Sequence, residues 1–257
     1  MRVRELHSDA QFEVVASGPV SGPLVVLIHG SLDRAVGMAR LARETATLAT
    51  TVRFDRRGYN DRWDHPGPFD VEGNVDDVHA IVGHRPCILI GHSYGGIIAV
   101  ATAVRLGTQV LGVSTYESPL SWLPWWPVNT AGQRGIDAGA DAAAESFMVA
   151  MIGRDHWERL PERTRNERRR EGRALVGELS QLREGPPWDP TLVRCPVLFG
   201  VRSDAPEHQA RAAEWMHEHL PDARVVDIHG ADHGAHLSHP RQFARGLIVP
   251  HLAATAP

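Results

Sequence analysis

Lysine is absent: every one of the 27 basic residues is an arginine. That absence removes Schiff-base chemistry and any lysine general base. Cysteine is scarce, with only Cys87 and Cys195, each beside a proline at the start of an apolar run. The pair is expected to serve as small buried hydrophobes rather than as a disulfide. Neither a CxxC nor an HExxH spacing occurs, so no metal site is expected. No segment approaches the roughly 18 apolar residues of a membrane span. Residues 1–15 alternate charged with apolar positions and lack the unbroken apolar core of a signal peptide. A soluble cytoplasmic protein is the expectation. The 27 basic and 31 acidic residues balance at a net charge of −4, which provides no basic field for nucleic acid or an anionic membrane.

What is present is a chain of 257 residues, 42% of them hydrophobic, long enough for one sizeable core. Short apolar runs recur at 24–28, 52–54, 88–90, 110–113, 197–199 and 225–228. Each is too short for a buried helix, and continuous rather than alternating runs indicate parallel strands covered on both faces. Helical periodicity fills most of the gaps, at 36–49, 71–83, 95–106, 207–220 and 241–252. The pattern implies an α/β fold with a doubly wound, mostly parallel sheet. Segments 3–6 and 12–16 are expected to form a hairpin on the sheet edge. The rhythm breaks over 118–190, which carries five of the seven tryptophans and a run rich in arginine and glutamate at 158–173. That run reads as an exposed helical face with i,i+4 pairing.

The segment Ile88-Leu89-Ile90-Gly91-His92-Ser93-Tyr94-Gly95-Gly96 reads as strand, sharp turn and helix around G-x-S-x-G. A serine on such a turn stands clear of the sheet while Gly91 and Gly95 leave room for close packing. The following helix aims its amino terminus at developing negative charge. On these residues the chain resembles the α/β-hydrolase fold family, from about Val3 to Leu252 apart from the insertion. Leu27-Ile28-His29-Gly30-Ser31 resembles that family's HG-x segment, and Phe54-Asp55-Arg56-Arg57-Gly58 resembles its D-x-R-G turn without the usual G-x-S continuation. The resemblance implies Ser93 as nucleophile and an oxyanion hole built from the backbone N–H groups of Ser31 and Tyr94. His29 would hold its loop by hydrogen bonds, with a place in the substrate pocket as its lesser role.

Triad order in this fold is serine, acid, histidine. His233 follows the last strand and has Pro240 seven positions beyond it, as the family pattern requires, so it is the expected base. His236 competes and is otherwise expected behind the base or at the pocket rim. Two carboxylates stand where the family places its acid. Asp204, ending Gly200-Val201-Arg202-Ser203-Asp204, is the expected acid, and Glu117, in Tyr116-Glu117-Ser118-Pro119, is the alternative. The family inserts a helical cap between its sixth and seventh strands. This places a core domain at 1–117 and 191–257 and a cap at 118–190. Trp122, Trp125 and Trp126 would either wall an apolar pocket or pack the cap onto the sheet. The implied activity is hydrolysis of an ester-like carbonyl of a small, partly apolar molecule through an acyl-enzyme, without metal or organic cofactor. Carbon–carbon hydrolase, lyase or perhydrolase chemistry with the same triad, and a non-catalytic small-molecule receptor, are the alternatives. Epoxide-hydrolase and dehalogenase chemistry is disfavoured, because those members use a carboxylate where this chain has Ser93. Oligomeric state is not legible.

Overall fold

The sheet grows from the short apolar runs. In the computed structural model, which describes residues 10–19, 22–128 and 138–255, each run lies within a strand. Six strands run parallel: β2 (Leu24–Ile28), β3 (Thr50–Phe54), β4 (Cys87–His92), β5 (Val110–Tyr116), β6 (Val197–Arg202) and β7 (Ala223–Ile228). A seventh, β1 (Val14–Ser17), pairs antiparallel with β3 at one edge, giving the order β1-β3-β2-β4-β5-β6-β7. The other expected arm of the edge hairpin, 3–6, lies outside the described residues. The strands expected as sixth and seventh are therefore β5 and β6.

Successive side chains of a strand point to opposite faces, and this alternation divides the core in two. Val26 and Ile28 of β2, with Leu89 of β4 and Val113 of β5, face α2 (Val71–Val82), α3 (Tyr94–Leu106) and α8 (Glu207–His219). Val25 and Leu27, with Ile88 and Ile90, face α1 (Ala39–Thr45) and α10 (Pro240–Leu247). Every residue of β2 is buried, and each such aliphatic side chain contributes about 1.5–3 kcal/mol to the fold. Cys87 and Cys195 are both free and buried.

Two helices differ from expectation. Helix α1 covers only the centre of 36–49, because Gly37, Met38 and Ala39 close turns onto Arg34, Ala35 and Val36. The stretch 241–252 is divided at Ile248 into α10 and α11 (Val249–Ala254), where Pro250 sits in the first turn and cannot continue the preceding helix. A short helix, α9 (Ala235–Ser238), precedes α10.

Between β5 and β6 lie four helices: α4 (Ala140–Ile152), α5 (Arg154–Arg159), α6 (Glu162–Arg170) and α7 (Gly172–Glu184). They share their own apolar cluster, in which Trp157 and Leu175 pack with Leu32 and Tyr59 of the main body. Residues 129–137 of this stretch lie outside the described residues. Arg163 and Glu167 make the expected i,i+4 pair. The 158–173 run is not wholly exposed, however: Glu171 is buried and accepts hydrogen bonds from Arg34 Nε and the Asn60 N–H. Among the described residues no helix is long and apolar enough to cross a membrane.

Parallel pairing lines up the carboxyl ends of the central strands, where ligands of open α/β sheets bind. His92 pairs with Tyr116 and Tyr116 with Gly200, so the residues that follow β4 and β5 emerge side by side.

Candidate active site

Ser93 occupies the turn between β4 and α3 with φ 53° and ψ −124°, a left-handed backbone that a non-glycine residue adopts only when its surroundings hold it there. The turn is clamped from three sides. The Ser93 N–H donates to the Tyr116 carbonyl at 2.8 Å, and the Ser93 carbonyl accepts from the Gly96 N–H at 2.9 Å and the Ser118 hydroxyl at 2.8 Å. Gly91 and Gly95 allow the approach: a Cβ on Gly91 would run into the Gly95 carbonyl, and one on Gly95 into the Ile28 carbonyl. The Ser93 side chain does not cap α3, which leaves its hydroxyl free for other work.

Beside it stands the loop after β7, which carries His233. The His233 ring meets Glu117 through Nδ1 and Oε2 at 2.7 Å. A carboxylate can only accept, so Nδ1 carries the proton and the lone pair belongs to Nε2. His233 is partly exposed, while the Glu117 side chain is 1% exposed. Glu117 reaches the ring because its backbone also turns left-handed, at φ 45°, as it leaves β5. Its N–H donates to the Gly200 carbonyl at 3.0 Å, and its own carbonyl accepts from Gln209 Nε2 at 3.3 Å. The guanidinium of Arg202 lies 3.5 Å from Oε1.

This geometry corrects the expected choice of carboxylate. Asp204 is 90% exposed, and its nearest charged partner is Arg202 at 3.9 Å. Strand β6 ends at Arg202, and the turn that follows carries Asp204 out into solvent. The structure brings Ser93, His233 and Glu117 to one strand edge and leaves Asp204 out.

His29 is fully buried, with the role expected of a loop-holding residue. Its Nε2 accepts from the Arg56 N–H at 3.0 Å and its Nδ1–H donates to the Gly30 carbonyl at 2.8 Å. Burial, aided by the Arg56 charge, lowers its pKa to about 3, so the ring stays neutral. A position in the substrate pocket is not what the structure shows for it. The loop it holds bears Ser31, whose N–H makes no backbone hydrogen bond among the described residues. Tyr94 is the first residue of α3, where helix geometry leaves its N–H unpaired.

A buried network that sequence reasoning did not anticipate ties this loop to α7. Glu178 accepts from the Ser31 hydroxyl at 2.6 Å, the Tyr59 hydroxyl at 2.8 Å and Arg56 Nη1 at 2.5 Å. Arg56 and Glu178 are both fully buried. The only sequence signal was the D-x-R-G resemblance at Arg56, since a glutamate 122 residues away offers none.

The remaining candidates settle into packing. Trp122 meets Trp188 edge-on at 5.4 Å, Trp126 meets His208 at 4.9 Å, and the Arg211 guanidinium lies 4.6 Å over Trp125. All three tryptophans join the core cluster on the α8 side. His236 is not at a rim; it is 2% exposed and bonded to Asp33.

Comparison with known proteins fits the geometry. The model of the family described as "Alpha/beta hydrolase family" matches residues 25–246. The chain belongs to that family. Among similar proteins, mouse "Epoxide hydrolase 4" is 33% identical over 122 residues, covering 46% of this chain and 34% of that protein. The chain thus spans about a third of that relative's length. "Pimeloyl-[acyl-carrier protein] methyl ester esterase" of Chromobacterium violaceum is 27% identical over 249 residues, covering 91% of this chain and 96% of that one. In fold, the enol-lactonase from Burkholderia xenovorans LB400 superposes with a TM-score of 0.68 at 18% identity, covering 95% of this chain and 96% of the other.

Proposed function

We propose that this hydrolase cleaves an ester-like carbonyl of a small molecule through an acyl-enzyme on Ser93. The observation that carries the reading is the buried Glu117 holding His233 Nδ1 at 2.7 Å beside a serine fixed at φ 53°. In that arrangement His233 Nε2 takes the Ser93 proton as Oγ attacks the carbonyl carbon. Glu117 fixes the ring tautomer and stabilises the imidazolium. The N–H groups of Ser31 and Tyr94 receive the oxyanion, and the amino terminus of α3 adds its positive end. His233 then returns the proton to the leaving alcohol, and water, deprotonated by the same ring, releases the acid. Helices α4–α7 act as the cap over this edge. No metal or organic cofactor takes part in these steps.

The methyl ester esterase is similar along 96% of its length, which favours an oxygen ester over other carbonyls. Likeness to an epoxide hydrolase does not transfer. A serine alkoxide opening an epoxide would form an ether that water under His233 could not hydrolyse, whereas a serine ester is readily cleaved.

The test is turnover of p-nitrophenyl esters of increasing chain length at neutral pH. The wild type should turn over many times, and Ser93→Ala should lose about 10⁴-fold or more of that rate. Ester hydrolysis that survives in Ser93→Ala would overturn the proposal.

A further inference from the structure

On the buried side of the candidate base, three loops bring a second set of groups together. Asp33 lies in the loop after β2, His92 is the last residue of β4, and His236 lies in α9, three residues beyond His233. One donor atom from each lies within 4.8 Å of the others. The two imidazole rings are 4.1 Å apart and tilted by 38°. His92 is 6% and His236 2% exposed.

The hydrogen bonds determine where the lone pairs are. His92 Nε2 meets the His233 carbonyl at 2.8 Å; a carbonyl only accepts, so Nε2 carries the proton and Nδ1 the lone pair. His92 Nδ1 is buried and has no hydrogen-bond partner. His236 Nε2 faces Asp33 Oδ2 at 3.0 Å, and its Nδ1 is likewise buried without a partner. Buried polar nitrogens are nearly always paired, so the orphaned His92 Nδ1, a lone pair with no donor facing it, calls for an occupant that accepts lone pairs.

We propose that Asp33, His92 and His236 form a binding site for one divalent transition-metal ion of the zinc type. Two imidazoles and one carboxylate suit zinc, cobalt, nickel or copper better than magnesium or calcium, which prefer oxygen donors alone. His92 binds through Nδ1, and its Nε2–H on the His233 carbonyl is the outer hydrogen bond that orients a metal-ligating histidine. His236 Nε2 donates to Asp33 Oδ2 at 3.0 Å, and both atoms become ligands when the ring proton shifts from Nε2 to Nδ1 as the ion binds. Tetrahedral zinc bonds of roughly 2.0–2.2 Å separate neighbouring ligands by about 3.4 Å, so side-chain rotations close the rest of the cluster. The Asp33 side chain is 22% exposed, which gives the ion its path in and water its fourth position. An ion bound here would join the loop bearing Ser31, the turn bearing Ser93 and the loop bearing His233. The site does not depend on the ester reading, because binding is measured without turnover.

The experiment is titration of chelator-treated protein with Co²⁺, followed by visible absorption, with Zn²⁺ added to displace it. The proposal expects one equivalent of Co²⁺ with the intense bands of a four- or five-coordinate site. It expects affinity to fall about tenfold or more in both Asp33→Asn and His236→Gln, each checked for folding by circular dichroism. His217→Asn on the surface of α8 should leave the titration unchanged. Absence of a band, or a band that survives both Asp33→Asn and His236→Gln, would overturn it.

Discussion

At Glu117 the chain leaves β5 with φ 45°, and that one angle carries the carboxylate back under the His233 ring. Asp204 has the more familiar surroundings in sequence, after a strand and a serine. It follows a turn that faces water, where a carboxylate gains little from a histidine. Glu117→Gln should therefore lower kcat by about 10²–10⁴ with KM little changed, because the amide cannot hold the charged ring or select its tautomer. Asp204→Asn should stay within about twofold of wild type; a loss comparable to that of Glu117→Gln would return the acid to Asp204. Both residues were visible as candidates. The choice between them was not legible, because it depends on a backbone conformation that no local pattern announces. Ser93 and His233 were legible because glycine spacing and chain order constrain them directly.

Among elements, the join between α7 and the loop after β2 is the one that sequence did not disclose. Strands showed as continuous apolar runs, and the insertion showed as a break in their rhythm. The contact between Arg56 and Glu178 spans 122 residues, and its function appears only when α7 is laid over Ser31. Removing Glu178 would leave the Arg56 charge buried and unpaired, which costs about 3–5 kcal/mol. Glu178→Ala should thus lower the melting midpoint by about 10 °C. Because the Ser31 hydroxyl loses its anchor, kcat should fall further than KM rises. A midpoint within about 2 °C of wild type would show that the buried pair contributes nothing net.

For the molecule as a whole, buried histidines set the response to acid. His29 is lowered to about 3 by burial and the nearby Arg56 charge, and His92 is held well below its ordinary value by burial and the neighbouring His236 and His233. His251 is also lowered by burial. A lowered folded-state pKa means that the unfolded chain takes up protons first as pH falls below about 6.5. Stability is therefore full above that pH and is lost toward about 3, where His29 itself protonates. His29 alone removes about 1.4 kcal/mol per pH unit within the window, so unfolding in urea should show at least about 2 kcal/mol less stability at pH 5 than at pH 7.5, with His92 and His251 adding in the same direction. A flat profile between those two values would mean that these rings are already charged in the fold.

The proposed mechanism requires Ser93 to become acylated, and mapping the covalent intermediate shows whether it does. Protein quenched in acid within the first turnovers of a p-nitrophenyl ester, then digested and weighed, should carry one acyl group on the peptide containing Ser93. The same treatment of Ser93→Ala should leave every peptide unmodified. An acyl group on any other residue, or steady hydrolysis with no acylated peptide at all, would contradict the mechanism.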